Sequence, residues 1–205
     1  MAHGDNRGLK LPPRVAPIQA VLVPIAAHKE GVLEKTSAIY DSLKDKFRMK
    51  FDDRDNVSPG FKFNDWEMRG VPVRIEIGPR DLEEGVAVLV RRDTSEKITV
   101  KIEDLDKELE TLLETIQKDM FNVCVERKNQ KTNVAYSLEE IEKALAENQG
   151  YVKTMWCGDR NCEDKVKEVT GAPSRCMPFE QECLDDKCVV CGKPAKKMVI
   201  WGRQY

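Results

Sequence analysis

Hydrophobic residues recur with two different spacings in the first half of the chain, and each spacing predicts a different kind of strand. Residues 18–25 (IQAVLVPI) form a continuous apolar run that ends near Pro24. Such a run is typical of a strand that is covered on both faces of its sheet. Residues 71–77 alternate instead, so that apolar side chains face one way and Arg74 and Glu76 face the other. We therefore expect two strands of one sheet.

Apolar residues at every third or fourth position predict two amphipathic helices, at 29–47 and 104–121. Shorter apolar groups, separated by turn residues, predict strands at 49–51, 86–90 and 98–102 and a short helix at 61–68. Strands that alternate with helices early in the chain indicate a layered α/β domain with a mixed sheet.

The composition changes near residue 120. Residues 137–140 (SLEE) form a capping box, which predicts a helix that runs to about residue 148. The remaining expected elements are strands at 151–156 and 198–201 and a short helix at 163–169. We therefore expect an α/β domain at 17–117 and a small α+β domain at 118–205.

Residues 1–16 are rich in turn residues and show neither a helical nor a strand period. They are compatible with a flexible leader or with a connector from a larger protein. Leu9, Leu11 and Val15 are apolar enough to pack against other residues, and we therefore favour the connector.

All seven cysteines lie in the second predicted domain, six of them between residues 157 and 191. Cys157 and Cys162 are separated by four residues, and Cys188 and Cys191 by two. Two such pairs can supply the four thiolates of a tetrahedral structural zinc site. Buried free thiols and a dithiol redox site remain the alternatives, although the second pair does not open a helix as in thioredoxin-like proteins.

The two histidines have no partners at ligand spacing, whereas Cys176 and Cys183 could be alternative metal ligands. Cys176 and Cys183 exceed one tetrahedral site and are expected to be core or surface thiols, and Cys124 is expected to be buried in an apolar stretch. His3 and His28 are isolated. The sequence therefore shows no self-contained catalytic centre.

The overall charge excludes a protein that binds polyanions with its whole surface, because the net charge of the 205 residues is −2. A local basic patch remains possible. Residues 52–93 carry seven basic residues interleaved with aromatic ones. Arginine next to aromatic rings is the chemistry that binds unstacked RNA bases, and Glu67 adds an acceptor for the donors of guanine. The alternative is a solvated face above a small aromatic core.

These residues resemble a known family. The stretches SPGFKFNDWEMRGVP and EIGPRD are similar to the anticodon-binding domain of prolyl-tRNA synthetases of the archaeal and eukaryotic type. WCGDRNCED, SRCMPF, CVVCGK and the terminal Tyr205 are similar to the C-terminal zinc-binding domain of that family, and HGDNRGLKLPPRVAPIQ is similar to the stretch that leads out of its catalytic domain. The resemblance implies that the catalytic domain with its three class II motifs is absent.

The resemblance assigns roles to matching positions. It implies anticodon contacts by Glu67, Arg74 and Arg80, and zinc ligation by Cys157, Cys162, Cys188 and Cys191. Two cationic groups and one carboxylate fit the two guanines of proline anticodons. Tyr205 is expected to dock on the catalytic domain.

The resemblance also implies the wider function. The parent reaction joins proline to tRNA(Pro) through a prolyl-adenylate, with ATP and magnesium, in a homodimeric cytoplasmic enzyme. We expect this chain to recognise tRNA and to be inactive alone, without DNA or membrane partners, since no apolar run approaches the ~20 residues of a membrane span. A non-enzymatic zinc-stabilised interaction module and a dithiol reductase are the alternatives.

Overall fold

The computed structural model describes residues 3–204. They form two units that divide between Asn122 and Val123. A helix of 26 residues runs across this division and also across the boundary expected from the sequence, between residues 117 and 118. The sequence-based domain boundaries therefore stay predictions.

The first unit contains every strand and both long helices that the sequence predicts for it. It also contains a short N-terminal hairpin and a short helix that the sequence analysis missed. Its elements, in chain order, are β1 (Gly4–Asp5), β2 (Gly8–Leu9), β3 (Ala20–Pro24), α1 (Val32–Leu43), β4 (Met49–Phe51), α2 (Pro59–Met68), β5 (Val73–Ile77), α3 (Pro79–Glu84), β6 (Val86–Arg91), β7 (Lys97–Lys101) and α4 (Leu105–Gln130), which continues into the second unit.

The main sheet has the order β4-β3-β5-β6-β7 and is mixed, as expected. Strand β3 is parallel to β4 and β5, whereas β6 is antiparallel to β5 and β7. Helices α1 and α4 cover one face, where Leu22 and Ile75 are buried. Helix α2 covers the other face through Trp66, which packs with Val21. Strand β3 is apolar throughout because both of its faces are covered.

Cys124 is exposed, so the expectation that it is buried was wrong. The sequence analysis ended α4 near residue 121, but the helix continues to Gln130. A helix of that length measures about 39 Å, whereas a five-residue strand spans about 17 Å. The last turns of α4 therefore run past the sheet that buries Leu109 and Ile116.

The second unit is a small α+β arrangement around a four-stranded sheet of order β10-β11-β9-β8. Helices α5 and α6 bury one face of this sheet around Val152, Val199 and Trp201. Its elements are β8 (Thr132–Val134), α5 (Leu138–Asn148), β9 (Tyr151–Trp156), α6 (Arg160–Thr170), β10 (Ser174–Cys176) and β11 (Lys197–Trp201).

The capping box predicted for α5 is present in a modified form. The Ser137 hydroxyl accepts a hydrogen bond from the Glu140 N–H (3.2 Å), while the Glu140 carboxylate accepts one from the Tyr136 N–H (2.7 Å), one residue earlier than expected. Among residues 3–204, we find no helix with the length and apolarity that crossing a membrane requires.

Candidate functional site

Four cysteines converge in the second unit. Cys157 follows β9, Cys162 lies in the first turn of α6, and Cys188 and Cys191 lie in a turn before β11. Their four Sγ atoms all lie within 4.8 Å of one another. The structure therefore brings together the four thiols that the sequence selected, and this cluster could hold a metal ion.

The two cysteine pairs are shaped by tight turns. Gly158 and Gly192 have positive φ values of 94° and 68°, which other residues adopt at a cost. The Gly192 N–H donates to the carbonyl of Cys188 and closes the second turn (3.0 Å). These turns direct the thiols of each pair toward one point.

The electrostatics of the cluster differ between its members. Burial raises the pKa of the Cys162 thiol well above its usual range. Burial also raises the pKa of Cys188, but backbone N–H groups of Cys191 and Val190 outweigh it and lower that pKa to about 7. Hence the Cys188 thiolate forms readily near neutral pH, whereas a bound cation would have to stabilise the thiolate of Cys162.

The remaining thiols of the second unit do not belong to this cluster. Cys176 and Cys183 are exposed, which fits the expectation that they are core or surface thiols. The Cys183 thiol donates to the carbonyl of Asp185 (3.7 Å).

Arg74 is held firmly in the first unit. It lies on the central strand β5 beside Val21, on the face that α2 covers, and only 9% of it is exposed. Its guanidinium lies 4.0 Å from the centroid of the Phe63 ring and donates to Glu76 Oε1 (2.9 Å from Nε). Arg74 is thus more deeply covered than the exposed position expected from the alternation of its strand.

Glu67 lies in the last turn of α2 and contacts Arg74 directly. The distance from Arg74 Nη1 to Glu67 Oε1 is 3.2 Å, and 22% of the Glu67 side chain is exposed. Arg80 is exposed in the first turn of α3, beyond the far end of β5. The structure therefore pairs Glu67 with Arg74, while Arg80 makes no hydrogen bond or ion pair among the described residues.

A buried carboxylate fixes helix α2, and the sequence analysis missed it. Asp52 accepts hydrogen bonds from Trp66 Nε1 (2.7 Å) and from Arg54 Nε (2.9 Å) and Nη2 (2.7 Å). The Lys62 ammonium donates to the Asp52 carbonyl (3.0 Å). Burial alone raises the pKa of Asp52, but the hydrogen bonds from Arg54 and Trp66 outweigh it and lower the pKa to about 2.

The signal for this carboxylate was present in the sequence. An acidic residue directly after a strand, followed by a tryptophan on the next helix, can place a hydrogen-bond acceptor under the indole N–H. The carboxylate therefore attaches α2, and with it Glu67, to the sheet.

Two further arginines of the segment 52–93 are buried in ion pairs. Arg91 binds Asp93 with a two-pronged contact (2.9 and 2.7 Å) and also Asp119 (2.7 Å). Arg92 binds Asp5 in the same manner (2.9 and 2.7 Å). The hydrogen bond from Arg92 holds the pKa of Asp5 well below its usual range. Part of the basic segment is thus structural, and these two arginines are buried and not on the solvated face that the alternative interpretation expected.

Comparisons with known proteins agree with the two-unit division. Residues 19–112 match the family described as "Anticodon binding domain", and residues 138–205 match "Prolyl-tRNA synthetase, C-terminal". The whole chain is 52% identical to "Proline--tRNA ligase" of Clostridium botulinum (strain ATCC 19397 / Type A) and 53% identical to that of Ruminiclostridium cellulolyticum. It is 52% identical to the same enzyme of Alkaliphilus oremlandii.

The chain spans 43% of the length of each of these three relatives. The relatives are bacterial, and their names do not say whether they are of the archaeal and eukaryotic type. The archaeal and eukaryotic type of the resemblance therefore stays a prediction.

Proposed function

Because the chain belongs to the prolyl-tRNA synthetase family, we propose that it recognises the anticodon of tRNA(Pro) as part of a proline–tRNA ligase. The observation that carries this proposal is the Glu67–Arg74 pair, which sets a carboxylate beside a guanidinium at the end of α2. Guanine presents two donors, N1–H and its amino group, on one edge and acceptors at O6 and N7. A carboxylate and an arginine side by side match both kinds of group.

The surroundings of the pair favour a base over a phosphate. Arg74 lies over the Phe63 ring and is bound by two carboxylates, so little of its positive charge is available to a mobile phosphate. An unstacked base can instead reach Glu67 from solvent and share the Arg74 guanidinium. The exposed Arg80 supplies a second cationic group for the same RNA.

The test is a double-mutant cycle that combines protein and RNA changes. We expect Arg74→Ala to weaken binding of a stem-loop RNA with the proline anticodon by about 10- to 100-fold, because one good base contact contributes roughly 1–3 kcal/mol. The loss should vanish on an RNA whose two anticodon guanines are replaced by adenines. Equal losses on both RNAs would contradict the proposal.

A matched control comes from an exposed arginine elsewhere on the first unit. The side chain of Arg14 is 69% exposed and pairs with Glu114 at 3.2 Å. We expect Arg14→Ala to change binding of both RNAs by less than about twofold, since an exposed ion pair contributes little. Equal losses of affinity for Arg14→Ala and Arg74→Ala would show that the effect comes from the change in net charge alone.

We propose that the four cysteines bind structural zinc. A tetrahedral ZnS₄ site with bonds of about 2.3 Å has S···S edges of about 3.8 Å. The Cys157 Sγ–Cys162 Sγ and Cys191 Sγ–Cys157 Sγ distances are 3.7 and 3.8 Å. Four convergent thiols also exceed the two that a dithiol redox site needs, and hence the geometry favours metal binding.

The chemistry of proline attachment would lie outside these 205 residues. The chain spans 43% of its relatives, so we place ATP, magnesium and prolyl-adenylate formation in the remainder of a homodimeric, cytoplasmic enzyme. Tyr205, which is expected to dock on that remainder, lies outside the described residues. We expect the purified chain to catalyse no proline-dependent pyrophosphate exchange above a blank, and measurable exchange would refute this assignment.

A further inference from the structure

We infer that Arg92 is a positioning residue of the anticodon site: it holds the N-terminal hairpin (residues 3–11) against Glu67 and thereby brings Arg7 to the edge of that site. The inference rests on the proposed function, because it presumes that Glu67 and Arg74 contact RNA. It adds residues to which the resemblance assigns no role.

Arg92 connects two segments that are far apart in sequence. Its side chain is only 2% exposed, and its Nη1 and Nη2 donate to the two carboxylate oxygens of Asp5 at 2.9 and 2.7 Å. Its Nε donates to the main-chain carbonyl of Glu67 at 3.0 Å. One planar guanidinium therefore fixes the hairpin and the last turn of α2 to each other, since its donors form a rigid fork.

The hairpin is in direct backbone contact with α2, and two glycines permit this approach. A Cβ atom added to Gly8 would lie 2.5 Å from the Met68 Cα, and one added to Gly70 would lie 2.6 Å from the Leu9 Cβ. Both glycines also have positive φ values, of 116° and 74°. Side chains at these positions would push the hairpin away from the helix end that carries Glu67.

The hairpin in turn reaches the carboxylate of Glu67. Arg7 Nη1 lies 3.8 Å from Glu67 Oε2, while Arg74 Nη1 lies 3.2 Å from the other oxygen. The main-chain N–H of Arg7 donates to Asp5 Oδ1 at 2.8 Å. Asp5 thus joins Arg92 to Arg7, and an RNA base that uses Glu67 must approach beside the Arg7 side chain, which is 48% exposed.

Arg92 itself is too deeply buried to contact RNA, so its effect must pass through Glu67 and Arg7. A residue that only stabilised the fold would change thermal stability or change binding of every RNA alike. A positioning residue changes the preference for guanine. The ratio of two dissociation constants separates these roles.

The experiment measures how the 205-residue chain binds two stem-loop RNAs, one with the proline anticodon and one with adenines in place of its two guanines. We expect Arg92→Lys to lower the ratio of affinities about tenfold, because lysine keeps the charge but cannot form the fork. Arg7→Ala should lower the ratio about threefold, which corresponds to a weaker and more exposed contact.

Two control variants match these changes. Arg91→Lys alters the neighbouring buried arginine, whose fork binds Asp93 and Asp119 and not Glu67. It should lower thermal stability but keep the ratio within about twofold, since no RNA-facing group depends on it. Arg14→Ala removes an exposed arginine that contacts α4 and should leave the ratio unchanged.

Each outcome decides between the two proposals. If the unaltered chain shows no preference for the guanine RNA, the proposed function and this inference both fail. If it does prefer that RNA, and folded Arg92→Lys protein keeps the full ratio, the proposed function stands and this inference fails. If Arg92→Lys does not fold, Arg7→Ala decides, and an unchanged ratio for that variant overturns the inference.

Discussion

The two units of the chain bury their interiors in different ways. The sheet of the first unit is covered on both faces, with sixteen buried residues in its larger core. Up to residue 204, the second unit has eight buried residues between its sheet and two helices and a separate group of five, which includes Met155, Met198 and two of the four clustered cysteines. A small domain with little apolar burial commonly needs a metal or a disulfide to remain folded. Metal dependence should therefore be confined to the second unit.

Removal of the proposed zinc should have the largest effect. We expect a chelator to unfold the second unit, because structural zinc contributes roughly 10 kcal/mol to the folding of small domains. Hydrogen exchange measured by mass spectrometry should show fast exchange in the peptide with Cys188 and Cys191 and unchanged protection in β3. Cys162→Ser should reproduce this pattern.

The matched control is Cys183→Ser, which alters an exposed thiol outside the cluster. It should leave both exchange and metal content unchanged. One zinc per chain that persists in Cys162→Ser but disappears in Cys183→Ser would contradict the ligand assignment.

Truncation of a buried core side chain should have the second largest effect. Leu109 and Leu145 are both buried, Leu109 at 0% and Leu145 at 2% exposure, the first in α4 and the second in α5. We expect Leu109→Ala to lower the free energy of unfolding of the first unit by about 2–5 kcal/mol, since a large buried side chain leaves a cavity. This loss should be the same with and without chelator.

Leu145→Ala should lower the stability of the second unit by a similar amount, but only while the metal is bound. Urea unfolding followed by hydrogen exchange in peptides of β3 and β9 separates the two units. A Leu109→Ala loss that depends on chelator would show that the first unit also relies on the metal.

The longer helices and strands of both units could be predicted from the sequence because each rests on a local pattern, whereas the short strands β8 (Thr132–Val134) and β10 (Ser174–Cys176) were missed. Strand β3 is a continuous apolar run, and the serine before α5 caps its first turn. The four cysteines that cluster were also predicted correctly, since short spacing within each pair leaves few ways to arrange them. The exposed Cys124 was missed because burial depends on how far a helix extends beyond its sheet.

The surroundings of the anticodon residues could not be predicted in the same way. Alternation in β5 placed Arg74 on the polar side, but the contact with Phe63 depends on where α2 crosses the sheet. The bond between Asp5 and Arg92 joins residues 87 positions apart. No local period contains such a contact, so only the tertiary structure reveals it.

Acid should lower the stability of the first unit because that unit contains the buried carboxylate of Asp52. The pKa of Asp52 is lowered to about 2 in the folded chain, below the ~3.9 of an unfolded aspartate. Its ionised form therefore stabilises the first unit by about 2–3 kcal/mol above pH 4, and this stability is lost as the pH falls from about 4 to 2.

The measurement is the urea midpoint of the first unit at pH 4.5 and pH 2.5, read from hydrogen exchange in β3. In Asp52→Asn the difference between the two midpoints should be smaller than in the unaltered chain, because the asparagine does not titrate. If the two urea midpoints differ as much in Asp52→Asn as in the unaltered chain, other carboxylates cause the acid sensitivity.

The smallest expected effect comes from the serine N-caps, which occur in both units. Ser58 and Ser137 each cap a helix, and their hydroxyls accept hydrogen bonds from the N–H groups of Phe61 (3.3 Å) and Glu140 (3.2 Å). Replacement of either serine by alanine should cost about 1 kcal/mol of unfolding free energy in its own unit, because the N–H group loses its acceptor. Ser58→Ala should show this loss with or without chelator, and Ser137→Ala only with metal bound. Hydrogen exchange in α2 and α5 would measure both, and a loss in α5 that survives metal removal would show that the second unit folds by apolar burial alone.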